Sequence, residues 1–78
     1  MSLILEVFLK KSLINQHHLF DGLRIGRSKG EILIKDMKIS SLHAKVEADV
    51  QGNFCLVDLG SANGIIFEGQ RVKKIKLV

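Results

Sequence analysis

The sequence predicts an all-β fold, a sandwich or barrel of short strands, on three observations. Apolar runs are interrupted by turn signals roughly every eight to twelve residues. Several of those runs alternate apolar and polar residues with period 2, and no stretch carries the 3.6 period of an amphipathic helix. At 78 residues the chain has room for a single domain, residues 1–78, and a small core, because a domain of this size buries only about 60 to 65% of its unfolded surface.

The first strand is read over residues 3–9, where Leu3, Leu5, Val7 and Leu9 share one parity and Glu6 lies on the other. Residues 14–20 form a weaker second run. Asp21-Gly22 between apolar flanks is the strongest short hairpin signal in the chain. Residues 23–25 return as a strand that Gly26 ends, residues 31–35 give another short strand, and residues 36–40 are loop. The cleanest alternation follows, with Ala44, Val46, Ala48 and Val50 on one face and Lys45, Glu47 and Asp49 on the other. Gln51-Gly52-Asn53 turns this strand into residues 54–59 as a second hairpin. Asn63-Gly64 leads into residues 65–67, Glu68-Gly69-Gln70 turns into Arg71-Val72, and residues 73–78 alternate Lys with Ile and Leu.

Composition bounds the function. Twelve Lys and Arg against eight Asp and Glu give a net charge of +4, which favours anionic partners of any kind. With four Phe and no Tyr or Trp, the aromatic platform of a single-strand nucleic-acid binder is poorly supplied. A small basic β-domain binding nucleic acid is the alternative kept from another function class. No apolar run approaches the roughly 18 residues of a membrane span, and the start lacks the pattern of a signal peptide. The lone Cys55 has no partner for a disulfide and fits a reducing compartment. The expectation is a soluble, cytoplasmic domain.

Three polar stretches adjoin the ends of apolar runs: Ile25-Gly26-Arg27-Ser28, then residues 38–46 beginning Lys38-Ile39-Ser40-Ser41-Leu42-His43, and then residues 58–64 ending Ser61-Ala62-Asn63-Gly64. Each is a loop in this reading, and loops at one end of a β-structure bring distant side chains together. A hydrolytic reading would join Ser40 to His43 and Asp36 or Asp58, but no nucleophile elbow is present. A metal reading would gather His17, His18, His43 and Cys55, which have no paired-ligand spacing. No catalytic residue, metal or cofactor is assigned. The Gly22 to Ser28 stretch lacks the spacing, the Lys and the following helix of a nucleotide phosphate loop.

Gly26-Arg27, Ser40-x-x-His43-Ala44 and Ser61-x-Asn63-Gly64, in that order with strand-like segments between them, resemble the signature of the forkhead-associated (FHA) domain. Phe54-x-Leu56-x-Asp58-Leu59-Gly60 and Gly69-Gln70-Arg71-Val72 extend the resemblance over most of the chain. It implies a two-sheet antiparallel β-sandwich of about eleven strands that binds phosphothreonine peptides through loops at one end. It also implies a protein-interaction module in signalling, without catalysis, whose partner is a phosphothreonine-containing protein. The alternative within the family is a degenerate member that assembles without phosphate.

Physical chemistry supports the implied roles. Arg27 presents a planar fork for two phosphate oxygens. Ser40 adds a hydroxyl, Ser41 a second one where the family often has Arg, and Lys38 a charge that draws an acidic ligand inward. Asn63 both donates and accepts, which suits a grip on peptide backbone. Ala62 stands beside it and has no polar group, and Ile65 replaces a frequent Thr. Gly26 and Gly64 shape turns, and the resemblance makes His43 the structural histidine that ties the Ser40 loop to the Gly26 turn. After Arg71-Val72 the family continues through further strands that pair with the first, whereas this sequence stops at Val78. An open edge is a template for another chain, so the expectation is self-association or strand exchange.

Overall fold

Nine strands run through residues 3–77, the part of the chain that the computed structural model describes. They are β1 (Ile4–Leu9), β2 (Ser12–His18), β3 (Arg24–Gly26), β4 (Ile32–Leu33), β5 (Ala44–Ala48), β6 (Phe54–Asp58), β7 (Ile65–Phe67), β8 (Gln70–Val72) and β9 (Lys74–Lys76). No helix is present among the described residues, so the all-β expectation holds. The strand count is lower than the resemblance implies.

Hydrogen bonding sorts the strands into a hairpin β1-β2, a five-stranded sheet in the order β4-β3-β5-β6-β9, and a hairpin β7-β8. The first hairpin lays Leu5 and Val7 against the buried residues Ile25, Ile32 and Val46 of the large sheet and Leu23 just before β3, giving two layers around one core. Leu19, Ile34, Phe54, Leu56 and Leu77 complete that core. Among the described residues β1 pairs with β2 alone, so its other edge is open.

The large sheet is mixed, because β3 and β4 run parallel through Ile25↔Ile32 and Gly26↔Leu33. Parallel neighbours ordinarily need a long crossover, yet only residues 27–31 connect these two. The connection doubles back on Arg24: the Glu31 carboxylate accepts from the Arg24 N–H at 2.8 Å and stands 3.9 Å from Arg24 Nε. That bond also holds the Glu31 carboxyl below the ordinary glutamate pKa. The strand expected over residues 31–35 shrinks accordingly to Ile32–Leu33.

Two turns differ from expectation. Asp21-Gly22 does not close a hairpin, since β2 pairs only with β1 while β3 pairs with β4 and β5. It carries the chain between layers, held by Gly22 N–H to Val46 O at 2.8 Å and by Ala48 N–H to the Asp21 carboxylate at 3.0 Å. The hairpin turn is Lys10-Lys11 instead, both with positive φ, 50° and 69°, the geometry that matches the twist of paired strands. Pairing then shifts by one residue between Val7 and Phe8, leaving Ile14 as the extra residue of a bulge. Bulged strands bend, and Leu9, expected on the buried face, is exposed, as are Leu3 and Phe8. Val50 likewise lies beyond the end of β5 and is fully exposed in the β5-β6 turn.

Candidate functional site

The three polar stretches do converge, and the bonds that join them run chiefly through backbone. From the β3-β4 loop, Arg27 N–H donates to Ser40 O at 2.9 Å, while the N–H groups of Ser28 and Lys29 both donate to Ser41 O. Gly26 makes this approach possible. A Cβ there would press on Ser41 O, lie 2.5 Å from Lys29 O and reach Leu42 Cα at 3.0 Å, so no larger residue fits between the two loops.

The β6-β7 loop is built on Asp58. Its carboxylate accepts from the Ser61 hydroxyl and from the N–H groups of Gly60 and Ser61, both at 3.2 Å, and Ser61 Oγ in turn accepts from Gly64 N–H at 2.9 Å. Burial works to raise the pKa of Asp58, but the hydrogen bonds from the Ser61 hydroxyl and the two amides outweigh it and hold the carboxyl below the ordinary aspartate range. Arg71, on β8, closes the loop from beneath by donating from Nη2 to Ser61 O at 3.2 Å and to Ala62 O at 3.4 Å. Its alkyl stem packs where Gly64 has no side chain, and Gly64 takes φ +75°.

Beside the backbone bond from Leu59 N–H to His43 O at 3.0 Å, side chains join residues 38–43 to this loop at three points. Ala62 N–H donates to Ser40 Oγ at 3.0 Å, and Asn63 Nδ2 donates to Lys38 O at 2.7 Å. His43, buried at 6% exposure, accepts at Nδ1 from Ser40 N–H at 3.0 Å and donates from Nε2 to Gly64 O at 2.9 Å. The imidazole therefore ties the Ser40 loop to the Asn63-Gly64 turn. This corrects the role expected from sequence, because the link from His43 to the neighbourhood of Gly26 is made by its backbone N–H to Ile25 O at 2.8 Å.

The loops that carry Gly26, Arg27, Lys38, Ser40, Ser41, His43, Ala62, Asn63 and Gly64 are thus joined to one another, with the polar capacity of several of these residues partly used. A hydroxyl has one donor and two acceptor positions, so Ser40, accepting from Ala62, still has its O–H to give. Ser41 Oγ lies 2.6 Å from Ser28 Oγ, and one hydroxyl hydrogen of the pair stays unengaged. Asn63 spends an N–H on Lys38 and keeps Oδ1 without a partner among the described residues. Arg27 is exposed, and among the described residues the ion pairs are Arg24–Glu31 and Lys45–Glu47, so no carboxylate neutralises Arg27, Lys29 or Lys38. Three exposed cations, Arg27, Lys29 and Lys38, thus share these loops without an ion-pair partner among the described residues.

Among the described residues no three His, Cys, Asp or Glu side chains gather in one place. His17 and His18 lie on β2, away from His43. Nor is any helix among these residues long and apolar enough to cross a membrane. Two residues that hold the site were not assigned to it from sequence. Asp58 carries a signal that could have found it, an Asp three residues before Ser61 in a turn-rich stretch. Arg71 stands in the Gly69-Gln70-Arg71-Val72 run, but nothing in that run points to its role, which depends on contacts with Ser61, Ala62 and Gly64 that the fold creates.

Fold and loops together define a β-sandwich whose chemistry is concentrated in three loops tied to one another. The family profile described as FHA domain matches residues 23–78, and the chain belongs to the FHA domain family. The FHA domain-containing protein At4g14490 of Arabidopsis thaliana is 46% identical over 46 residues, a match that covers 56% of this chain and 12% of that protein. Among solved structures, the FHA domain of CT664 from Chlamydia trachomatis aligns over 99% of this chain and 81% of its own, with a TM-score of 0.78 and 29% identity. A structure from an analysis of phosphothreonine-dependent FHA domain interactions covers 100% of this chain and 80% of its own, with a TM-score of 0.80 and 25% identity. Mycobacterium tuberculosis EmbR, in complex with a low-affinity phosphopeptide, matches 82% of this chain and 17% of its own, with a TM-score of 0.69 and 27% identity.

Proposed function

We propose that this chain is a phosphothreonine-dependent protein-interaction module, without catalysis of its own, that recruits a phosphorylated partner in cytoplasmic signalling. The observation that carries the reading is the state of Arg27 and Ser40. Their loops are locked together through Arg27 N–H and Ser40 O, while the guanidinium has no carboxylate partner among the described residues and the Ser40 hydroxyl retains a donor. A phosphate dianion asks for a planar bidentate cation beside a fixed neutral donor, and both are present on adjoining loops. Ser41 and Lys38 add donor capacity and charge. Asn63 Oδ1, without a partner among the described residues, would accept from the N–H of a bound peptide.

The relatives support this reading, since one is described as phosphothreonine-dependent and another was solved with a phosphopeptide. The test is a screen of matched phosphorylated and unphosphorylated peptide libraries against the domain. Binding confined to phosphothreonine peptides and abolished by phosphatase is the expected result. Binding that survives phosphatase would favour phosphate-independent assembly, and loss of phosphopeptide to competing nucleic acid would favour a nucleic-acid ligand.

A further inference from the structure

The β1-β2 hairpin ends in a tip that the core does not cover. Phe8 and Leu13 lie directly opposite each other, and so share a face, with 59% and 47% of their surface exposed. Leu9 has the parity of the core-facing residues Leu5 and Val7, and Ile14 is the extra residue of the bulge, yet they too are 42% and 43% exposed. Large apolar side chains therefore stand in solvent on both faces of the tip, which overhangs the sandwich. At the turn itself Lys10 and Lys11 are exposed and hold positive φ, 50° and 69°. Such a turn forms most easily from Asn-Gly or Asp-Gly, so backbone geometry gives no reason for two lysines there.

We propose that this tip docks on an anionic lipid surface, with Phe8 and Leu13 entering between the headgroups and Lys10 and Lys11 engaging lipid phosphates. The hairpin meets the surface obliquely, the Phe8-Leu13 face downward. The long stems of the lysines then let both ammonium groups stay at the level of the phosphates. Binding of this kind draws on buried apolar area and on cation attraction together, and the tip supplies both within a few residues. Glu6 lies two residues behind Phe8 on the same face, about 7 Å along the strand, and limits entry to the end of the hairpin. The inference uses no residue of the phosphate seat and stands apart from the phosphopeptide reading.

Charge selects this occupant over a second copy of the chain. Residues 7–15 contain no Asp or Glu, and neither lysine has an ion-pair partner among the described residues. The neighbouring loop adds Asp36 and Lys38 to the depression beside Phe8 and Leu9, one charge of each sign, so Lys10 and Lys11 set the field of the tip. A second copy seated there would bring its own lysine pair and another net charge of +4, whereas an anionic bilayer brings the opposite sign. Shape agrees, since a bilayer yields to a convex apolar tip without a preformed recess.

The experiment is co-sedimentation with vesicles of phosphatidylcholine alone and of an equal mixture with phosphatidylserine. Partition onto the mixed vesicles should exceed that onto phosphatidylcholine by roughly tenfold or more. Lys10→Ala with Lys11→Ala should lower it about thirtyfold and Leu13→Ser about tenfold, while Val50→Ser, in the exposed turn at the other end of β5, leaves it unchanged. The chain has no Trp, so Phe8→Trp supplies a single fluorophore whose emission should shift to the blue on the mixed vesicles, and Val50→Trp should show no shift. All these positions are exposed, and circular dichroism separates lost binding from lost fold. Absence of partition onto the mixed vesicles would overturn the proposal, as would partition that the double lysine variant keeps in full. Sedimentation without a blue shift of Phe8→Trp would mean adsorption by net charge alone and would overturn it as well. A concentration-dependent dimer in light scattering that Phe8→Asp dissociates would assign the tip to a second copy, and the lipid reading would be lost.

Discussion

The imidazole of His43 and the carbonyl of Gly64, 21 residues apart in sequence, are joined by a 2.9 Å hydrogen bond inside the domain. With Nδ1 accepting from Ser40 N–H, the ring bridges two recognition loops from behind and has no nitrogen left for a ligand. Replacing it by Ala strands both partners near the core. His43→Ala should cost about 2 to 4 kcal/mol of stability, read as a lower urea midpoint, and should weaken peptide binding in proportion to the fraction unfolded. A variant of unchanged midpoint would show that the bridge does not hold the loops.

Arg27 is the reverse case, exposed and bound to the fold through its backbone. Charge-assisted hydrogen bonds contribute about 1.5 to 3 kcal/mol, so Arg27→Ala should weaken phosphopeptide binding roughly ten- to a hundredfold with the urea midpoint unchanged. Calorimetric titration of both proteins with one phosphothreonine peptide checks it. Equal affinities would remove Arg27 from the phosphate seat.

Discrimination between phosphothreonine and phosphoserine tests the corner around Asn63. Ala62 on one side is exposed, and Ile65, just beyond Gly64, is half-buried, so the flanks of Asn63 offer apolar contact for a threonine methyl. One buried methyl is worth about 0.8 kcal/mol, which corresponds to roughly a fourfold difference in Kd. Paired peptides differing only by that methyl supply the measurement, and identical constants would exclude a methyl-binding recess.

The two structural glycines of the site should fail differently when replaced. Gly26→Ala drives a Cβ into backbone oxygens of Ser41 and Lys29, atoms that cannot move without separating the loops, and should cost about 3 kcal/mol. At Gly64 the obstructing atoms belong to the Arg71 side chain, which can be removed. In an Arg71→Ala background the cost of Gly64→Ala should fall by about 0.5 to 1 kcal/mol, a coupling that a double-mutant cycle reads directly. Additive costs would mean that the pair do not press on each other.

How much of this was legible in the sequence depends on whether the signal was local. The β5-β6 hairpin was, because Ala44, Val46 and Ala48 alternate in full view and Gly52 marks the turn. The joining of the three loops was legible as a set, since Gly26, Arg27, Ser40, His43, Asn63 and Gly64 come in recognisable order and the loops that carry them are bonded together. Lys10-Lys11 was not, because two lysines at positive φ resemble any solvated pair. Asp21-Gly22 misled for a related reason: the Asp21 carboxylate serves a distant strand by accepting from Ala48 N–H, and a tight turn says nothing about which strands it joins. The ring of His43 bonds Ser40 and Gly64 rather than the Gly26 turn, a choice of partner made by loop packing.

Nearly all the ties that shape the three loops end on main-chain atoms: Ser40 O, Ser41 O, Lys38 O, Gly64 O, Ser61 O and the amides of Gly60, Ala62 and Gly64. Main-chain atoms are the same whatever residue carries them. Position 62, whose exposed Ala side chain joins none of these ties, is therefore open to exchange without re-folding the surface, and position 41 is open to it at the loss of the 2.6 Å contact between the Ser41 and Ser28 hydroxyls. The domain is in this sense a chassis with replaceable fittings. Libraries that vary Ser41 and Ala62 on a fixed Gly26, His43, Asp58 and Arg71 frame offer a direct route to new ligand preferences.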